Sequence, residues 1–515
     1  MSARICLLLA LAGASVLLPA EPAAAAPARS PISHFIYLMQ GGHTFDNYFG
    51  TYPGVDGLPD DACQALDLKR PERGCVQPFS LHDGPPTALD AERSLVEAQL
   101  GGGAMNAFVA AYQERGRDGA PAMGYYDDRD LPYYWNLADE YVLFDRFFSS
   151  APYGIRLNRS YWVTGRQTPG GGEQLPRRGY GDEPTIFDRL EAVGVSWKFY
   201  VEDYKPAETF RTASTSDAAA SQSARVPLLN YARFLDDPKL RGHIVDLSEY
   251  HRDIVAGTLP AVAYVASSGA SERSARSIGA GQRLVRDLVT QLQLSQYWRD
   301  SAFLWSYDGS GGWYDHVAPP KVGGHQLGLR VPALLVSPYV ARGRADHTTL
   351  DPTAALRFVT DNWGLKPLDV GAGSSLATAF DFTAPPRDAT VVGTARTHAA
   401  APGVDVRPIY GFYGGGALLV VLALVFAVVP KAKKVKVTEV VKEAEVVQEA
   451  EVVEEADVVE EPDVVEEPDV VEEADVVEEA DVVEEADVVE EPDVVEEADV
   501  VEEPDVVKEP EGADA

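Results

Sequence analysis

Aspartate and histidine residues cluster in two polar stretches of the chain, and each stretch follows an apolar run. "SYDGSGGWYDHVAPP" contains Asp308, Asp315 and His316, and "ARGRADHTTLDPT" contains Asp346 and His347. Carboxylate oxygens and imidazole nitrogens are ligands for divalent metals, and such metals suit the hydrolysis of phosphate esters. Each aspartate taken singly also has a structural interpretation, as a turn or helix cap. The predicted metal ligands are Asp308, Asp315, His316 and His347.

A third polar stretch, "MQGGHTFDNYFG", contains the pair Gly41-Gly42 directly after an apolar run. Such a pair can belong to a phosphate-cradling loop, to a plain turn, or to a site that lacks its ligands. The nucleotide-binding fingerprints do not fit, because no Gly-Lys-Ser/Thr follows and the G-x-G-x-x-G spacing is absent. The first of the three interpretations is therefore excluded.

Apolar runs that alternate with helical patterns must position these stretches. The runs predict strands over 34–39, 195–201, 261–265, 302–307 and 333–337. Apolar strands bounded by helices favour an α/β fold with a mostly parallel sheet and helices on both faces. In such folds ligands bind beyond the carboxyl ends of the strands. All three polar stretches fall there.

Two of the helical patterns have clear boundaries. The pattern over 183–194 places its apolar residues on one face and ends in glycine, and the pattern over 351–364 begins with Asp351 as a predicted cap. Residues 50–140 and 165–180 are rich in Gly, Pro and Asp. They are predicted to form long loops or a cap over the site.

Both ends of the chain carry signals for export and membrane insertion. Residues 1–25 have one positive charge, a short apolar run and a small-residue region, as in a secretory signal peptide. Residues 409–429 are 21 uncharged residues, which is long enough to cross a bilayer. Four lysines follow at 431–436, and positive charge stays on the cytoplasmic side. The sequence thus predicts a single-pass protein of the cell membrane with its main domain, 30–382, outside.

The remaining segments are a predicted linker, 383–408, and a predicted cytoplasmic tail, 430–515. Residues 439–515 hold 35 acidic side chains and two lysines, so almost the whole net charge of −36 belongs to the tail. Units such as "EEADVV" and "EEPDVV" repeat over 442–507. A period of six matches neither helix nor strand, and the charges repel one another, so the tail is predicted to be disordered. The sequence names no partner for it, and a solvated spacer and a docking arm both remain open.

Cysteine use agrees with export. Cys6 leaves with the signal peptide, which leaves Cys63 and Cys75 as the one pair, and an oxidising compartment favours a disulfide between them. Two free thiols are the alternative. A metal site needs more ligands than this pair offers.

Residues 34–368 resemble a known family in the motifs that they contain and in the order of those motifs. "TFDNYFGTYPGVDG", "NRSYWVTG", "GGWYDHVAPP" and "GLRVPALLVSPYVARGRADHTTLDPTAALRFV" occur in the order seen in the bacterial phosphoesterases that include non-haemolytic phospholipases C and acid phosphatases. The resemblance implies the α/β core of the alkaline phosphatase superfamily, a divalent metal centre and a Ser or Thr nucleophile. It also implies a phosphate ester or a phospholipid head group as the substrate.

Four departures from the family pattern fall at four distant places. A Glu-Asn pair, which supplies metal and phosphate contacts in the family, is replaced by Gly41-Gly42. The nucleophile position before Asn158-Arg159 holds Ile155 or Arg156, and a Glu-His-Pro motif appears as Glu272-Arg273-Ser274. An acidic pair appears as Asp308-Gly309. The nearest hydroxyls to these motifs, Thr44 and Ser310, do not lie at the nucleophile position.

Three functions follow from these observations. The resemblance predicts a membrane-anchored hydrolase of phosphate esters, with a divalent metal as cofactor. The departures predict a pseudoenzyme instead, in which Arg156 and Arg273 bind a phosphate-bearing ligand without turnover. A third hypothesis is a structural surface protein whose tail carries the function. The membrane is a predicted partner through the span, and nucleic acid is not.

Overall fold

The computed structural model describes residues 26–82, 89–168, 175–273 and 275–396. The predicted signal peptide, the predicted span over 409–429, the acidic tail and the end of the predicted linker lie outside these residues. Within the described part of the chain, no helix combines the length and the apolar character that crossing a membrane requires.

An eight-stranded sheet forms the centre of the fold, in the order β14-β6-β13-β10-β1-β9-β7-β8, and the other strands pair in short ladders of two. In chain order the strands are β1 (His34–Gln40), β2 (Gln64–Ala65), β3 (Cys75–Val76), β4 (Phe79–Ser80), β5 (Gly124–Tyr125), β6 (Val142–Phe144), β7 (Trp197–Val201), β8 (Ile244–Asp246), β9 (Val262–Ala266), β10 (Ser301–Tyr307), β11 (Lys321–Val322), β12 (His325–Gln326), β13 (Ala333–Val336) and β14 (Arg344–Asp346).

The sheet is mostly parallel, as the sequence predicts. Strand β1 pairs in parallel with both β10 and β9, and only β13 runs against the other seven strands of the sheet. The direction of β13 has a local cause. A parallel return needs a crossover, usually helical, and the structure has no α-helix between β10 and β13.

Twelve α-helices are present among the described residues. They are α1 (Phe45–Phe49), α2 (Arg93–Leu100), α3 (Ala110–Gln113), α4 (Pro132–Glu140), α5 (Ile155–Thr164), α6 (Ile186–Glu191), α7 (Asp217–Arg225), α8 (Ala232–Asp236), α9 (Pro238–Arg241), α10 (Ser248–Ala256), α11 (Ile278–Gln293) and α12 (Thr353–Asn362).

Helices cover both faces of the sheet. Tyr37 and Trp305 point to opposite faces, because Trp305 lies opposite Leu38 in the register of β1 and β10 and successive side chains alternate. The Tyr37 ring packs edge-on against Trp162 of α5, with 5.6 Å between centroids. On the other face Trp305 packs against Tyr134 of α4, at 4.2 Å. The predicted α/β layering is confirmed.

A smaller second core lies in the region predicted as loops. Buried side chains of α2, of α3 and of the turn before α3, among them Leu95, Tyr112 and Phe108, pack with Tyr314 from the loop after β10. Cys63 and Cys75 form a disulfide at the ladder of β2 and β3, with 5.6 Å between Cα atoms. Of the two predicted alternatives for 50–140, long loops or a cap, this part of the chain is therefore a packed cap with helices of its own.

The helix boundaries depend on local side chains. Helix α6 begins with a capping box, in which Thr185 and Asp188 bond each other's backbone N–H groups. The prediction that Asp351 caps α12 was wrong. Its carboxylate accepts hydrogen bonds from the hydroxyls of Ser150 and Thr353, and no side chain caps this helix.

Candidate functional site

The carboxyl ends of β1 and β10 lie beside a cavity of about 430 Å³. Gly42 follows β1, Asp308 and Gly309 follow β10, Ile155 begins α5, and Arg273 lies in the segment after β9. All five residues line this one cavity. The four segments that depart from the family pattern are distant in the sequence, and the structure brings them together around one cavity.

The Asp308 carboxylate is bound by two guanidinium groups. Arg159 is fully buried and places its Nε 2.8 Å from Asp308 Oδ2, and Arg273 Nη2 donates to both carboxylate oxygens. Arg159 also donates to the carbonyls of Met39 and Arg225, at 2.9 and 2.8 Å. Burial lowers the pKa of Arg159 to about 10, although Asp308 opposes this shift. Two positive charges thus bind one negative charge, and of the two arginines only Arg273 lines the cavity.

The Gly41-Gly42 pair lets Arg273 approach the end of β1. A Cβ atom on Gly41 would lie 2.5 Å from Asp308 Oδ1 and 2.7 Å from Arg273 Cζ, which is closer than real Cβ contacts. Gly42 has φ of +97°, in the region that favours glycine. A Cβ there would lie 3.2 Å from Arg273 Cα. The space that side chains at these two positions would occupy is taken by Arg273 and Asp308.

The first turn of α5 offers an apolar side chain to the cavity. Ile155 is its first residue, and Gly154 before it has φ of +82° and provides no side-chain cap. Asn158 binds the preceding loop, since it accepts from the Ala151 N–H at 2.8 Å. Arg156 also lines the cavity, but its guanidinium donates to the Ala220 carbonyl at 2.7 Å. Ile155 has no hydroxyl that could attack phosphorus.

Of the two hydroxyls noted in the sequence, only one lines the cavity. Ser310 does so, and it is 5% exposed. Thr44 caps α1 instead, because its hydroxyl accepts from the Asn47 N–H and donates to the Tyr314 carbonyl at 2.6 Å.

Asp315 and His316 belong to a separate buried network around Arg330. The Arg330 guanidinium places Nε 2.9 Å from Asp315 Oδ1 and Nη2 2.7 Å from Asp46 Oδ1. His316 Nδ1 lies 2.7 Å from Asp46 Oδ2. Burial raises the pKa of Asp315 to about 6, and the Arg330 charge opposes it. Three family motifs are thus joined by ion pairs and hydrogen bonds: "FDN" at 45–47, "DH" at 315–316 and "LRV" at 329–331.

His347 lies in a third place. Its Nδ1 is 2.8 Å from Asp145 Oδ2, and 60% of the side chain is exposed. Asp145 also accepts from the Asp56 N–H, which links His347 to the edge of the Arg330 network. Among the described residues, no hydrogen bond or ion pair joins Asp308 to Asp315, His316 or His347. The structure therefore brings Asp315 and His316 together and leaves the other two predicted ligands apart.

Directly before Arg273, Glu272 is fully buried in a cage of tyrosines. Tyr48, Tyr134 and Tyr307 all donate their hydroxyls to its carboxylate, the first at 2.8 Å. Burial raises the pKa of Glu272 to about 7, although these hydrogen bonds oppose the shift. Its backbone has φ of +64°, and its carbonyl lies 2.7 Å from His43 Nε2. This cage fixes the segment that carries Arg273.

A family model for the Phosphoesterase family matches residues 32–366, which is most of the chain outside the tail. The chain belongs to the phosphoesterase family. Membership supports a phosphate-ester hydrolase as the general class of this protein, and it confirms the resemblance drawn from the ordered motifs.

Curated relatives of this chain carry phospholipase names. Phospholipase C A of Mycobacterium tuberculosis is 28% identical over 418 residues, covering 69% of this chain and 78% of the relative. Non-hemolytic phospholipase C of Burkholderia pseudomallei is 27% identical and covers 69% of this chain and 59% of the relative. A solved protein in the alkaline phosphatase superfamily from Vibrio parahaemolyticus shares 12% identity, with a TM-score of 0.34 over 68% of this chain and 72% of that one.

Phosphoesterases of this kind are usually metal-dependent, so the fit of the residues to a divalent cation matters. At Asp308 they do not fit, because two guanidinium groups already bind the carboxylate that a cation would need. Ligand atoms of Asp46, Asp315 and His316 lie within 4.8 Å of one another, but the Arg330 guanidinium binds the carboxylates of both aspartates. A cation at either place would meet a buried positive charge.

Sequence reasoning missed the residues that organise both places. Arg159 and Arg330 are fully buried, and the sequence predicts neither as a functional residue. A signal existed, since both stand in motifs that identify the family, "NRSYW" and "GLRVP". The sequence does not show which carboxylates they bind. Asp308 is 149 residues from Arg159, and Asp46 is 284 residues from Arg330.

Proposed function

We propose that this chain is a phosphate-ester-binding member of the phosphoesterase family that does not form a covalent phospho-enzyme. The observation that carries this proposal is Ile155, an apolar side chain at the start of α5 in the cavity where Arg273 and Asp308 meet. Nucleophilic catalysis on phosphorus needs an activated hydroxyl or a similar group. An isoleucine supplies none.

The cavity retains the features of an anion site. Two guanidinium groups bind the Asp308 carboxylate: Arg159 is fully buried behind it, and Arg273 lines the cavity with 31% of its side chain exposed. Arginine presents donors in a planar fork that matches phosphate oxygens. The first turn of α5 adds backbone N–H groups and the positive end of a ten-residue helix. A phosphate group is the ligand that this combination favours.

Hydrolysis of phosphate esters is the second candidate. The phospholipase names of the relatives favour it, and so does Ser310, the hydroxyl that lines the same cavity. Such an activity would use a different nucleophile or an attacking water, because position 155 is excluded.

The cellular setting of the proposal comes from the sequence. A signal peptide over 1–25, a span over 409–429 and four lysines after it support a single-pass protein with the cavity outside the cell membrane. The disulfide between Cys63 and Cys75 agrees with an oxidising compartment. A phospholipid head group or a soluble phosphate ester could reach such a site.

Two measurements on the full chain, purified in mild detergent, test the proposed function. Isothermal titration with inorganic phosphate is expected to show saturable binding. Release of p-nitrophenol from phosphate mono- and diester substrates is expected not to exceed that of the Asp308→Asn variant. Turnover that disappears in Ser310→Ala, with the fold intact by circular dichroism, would establish the hydrolase instead.

A further inference from the structure

We infer that the Arg273 guanidinium is a built-in replacement for a divalent cation, so that this cavity binds a phosphate group without any metal. The inference rests on the proposed function and deepens it, since it names the cation that holds the ligand. Its ligand class is a tetrahedral oxyanion, carried by an ester or free in solution.

The first step is the reciprocal fit between Arg273 and the end of β1. A Cβ on Gly41 would approach Arg273 Cζ to 2.7 Å and Asp308 Oδ1 to 2.5 Å. Any larger residue at this position would therefore displace the guanidinium from the carboxylate. Glycine at position 41 is what allows a cationic side chain to lie between β1 and Asp308.

The second step is the shortage of oxygen ligands for a metal. The carboxylates that line the cavity are those of Asp308 and Asp90. Asp308 is bound by Arg159 and Arg273, and Asp90, 56% exposed, pairs with Arg117 at the surface. Divalent magnesium or calcium requires six or more oxygen ligands, several of them from the protein or the substrate. A permanently charged guanidinium next to Asp308 adds repulsion to this shortage.

The third step is the rigidity of Arg273. The preceding residue, Glu272, is held by three tyrosine hydroxyls, and its carbonyl contacts His43. On the other side Gly42 comes so close that even a Cβ would lie 3.2 Å from Arg273 Cα. A cation that is fixed before the ligand arrives loses little conformational entropy on binding. The geometry is that of a preorganised anion site.

Phosphate binding in the presence of EDTA tests this inference. The full chain in detergent is titrated with inorganic phosphate by calorimetry, first with EDTA and then with added Mn²⁺. Binding is expected with the same Kd under both conditions. Arg273→Gln is expected to weaken it at least tenfold, and Arg273→Lys to restore part of the loss. Thermal unfolding of both variants checks the fold, which Arg159 should preserve by keeping its bond to Asp308.

A matched control removes an arginine elsewhere. Arg211 forms an exposed ion pair with Asp236, and neither residue lines the cavity. Arg211→Gln should therefore bind phosphate as the wild type does. If Arg211→Gln loses as much affinity as Arg273→Gln, the loss reflects overall charge and the inference fails.

The outcomes separate the inference from the proposed function. No phosphate binding by the wild type, with or without Mn²⁺, overturns the proposed function itself. Binding that requires Mn²⁺, or that survives in Arg273→Gln, overturns the inference and leaves the proposed function standing. Equilibrium dialysis with Mn²⁺ alone gives a further check. Stoichiometric Mn²⁺ binding that is lost in Asp308→Asn would show that Arg273 does not replace a metal.

Discussion

Arg330 and Asp315 form a fully buried ion pair in which Nε lies 2.9 Å from Oδ1. The same guanidinium binds Asp46 and two backbone carbonyls, so it ties the loop after β10 to the residues of α1. The motif residues that look like metal ligands in the sequence thus form a structural network in which a guanidinium is the central cation.

Removing Arg330 should therefore destabilise the fold. Breaking one side of a buried ion pair costs about 3–5 kcal/mol, because the remaining charges stay buried without a partner. We expect Arg330→Met to lower the free energy of unfolding by that amount in urea denaturation. Arg211→Met, which removes half of an exposed pair, should change it by less than about 1 kcal/mol. Equal changes in the two variants would contradict a structural role for the network.

A second prediction concerns Gly41 and Arg273. Gly41→Ala adds a methyl group where the guanidinium lies, and overpacking of this kind costs about 1–3 kcal/mol. In the background of Arg273→Ala the contact with the guanidinium is gone and only the contact with Asp308 Oδ1 remains, so the cost should fall. A double-mutant cycle on the free energy of unfolding measures this coupling. Additive effects would mean that the two residues do not compete for the same space.

The central strands were predictable because they are long and buried on both faces. Runs such as 34–39 and 302–307 contain no alternation that a partly exposed strand would show, and they match β1 and β10 within one residue. Strands β6, β8 and β14 have three residues each, which is too short for a periodic signal. The reversed direction of β13 depends on the connection before it and not on its own residues.

The sequence could predict which positions meet at the candidate site, but it could not predict how their side chains pair. The convergence of Gly42, Ile155, Arg273 and Gly309 on one cavity follows from motif order in the family. Side-chain pairing does not follow, because an arginine can reach several carboxylates on neighbouring loops. Arg159 could not be assigned to Asp308, nor Arg330 to Asp315, before the loops had positions in space.

A third prediction concerns the disulfide of the cap. Cys63 and Cys75 are 12 residues apart, and their disulfide links the residue before β2 to the first residue of β3. In the chain-entropy model a loop of this length contributes roughly 3 kcal/mol. The double variant Cys63→Ser/Cys75→Ser should therefore unfold at lower urea concentration, and the wild type in reducing agent should behave like it. If reduction leaves the wild-type unfolding curve unchanged, the bond does not stabilise the fold.

The last prediction concerns the pH dependence that Glu272 gives to stability. Burial raises its pKa from 4.5 to about 7, so the folded state holds a proton that the unfolded state releases above pH 4.5. Glu272 therefore contributes on the order of 3 kcal/mol to the free energy of unfolding. This contribution is fully present below pH 4.5 and is lost as the pH rises through 7. Glu272→Gln stays neutral and should lack this decline.

The measurement is the difference in free energy of unfolding between wild type and Glu272→Gln from pH 4.5 to 8. Other groups titrate in the same range, and burial lowers the pKa of His43 to about 4, which gives a trend of the opposite sign between pH 4 and 6.5. His43 and Asp315 are present in both proteins, so their contributions cancel in the difference. A difference that does not change with pH would show that Glu272 is ionised in the folded protein. The tyrosine cage would then hold a carboxylate next to Arg273, and the net positive charge at the inner end of the cavity would be correspondingly smaller.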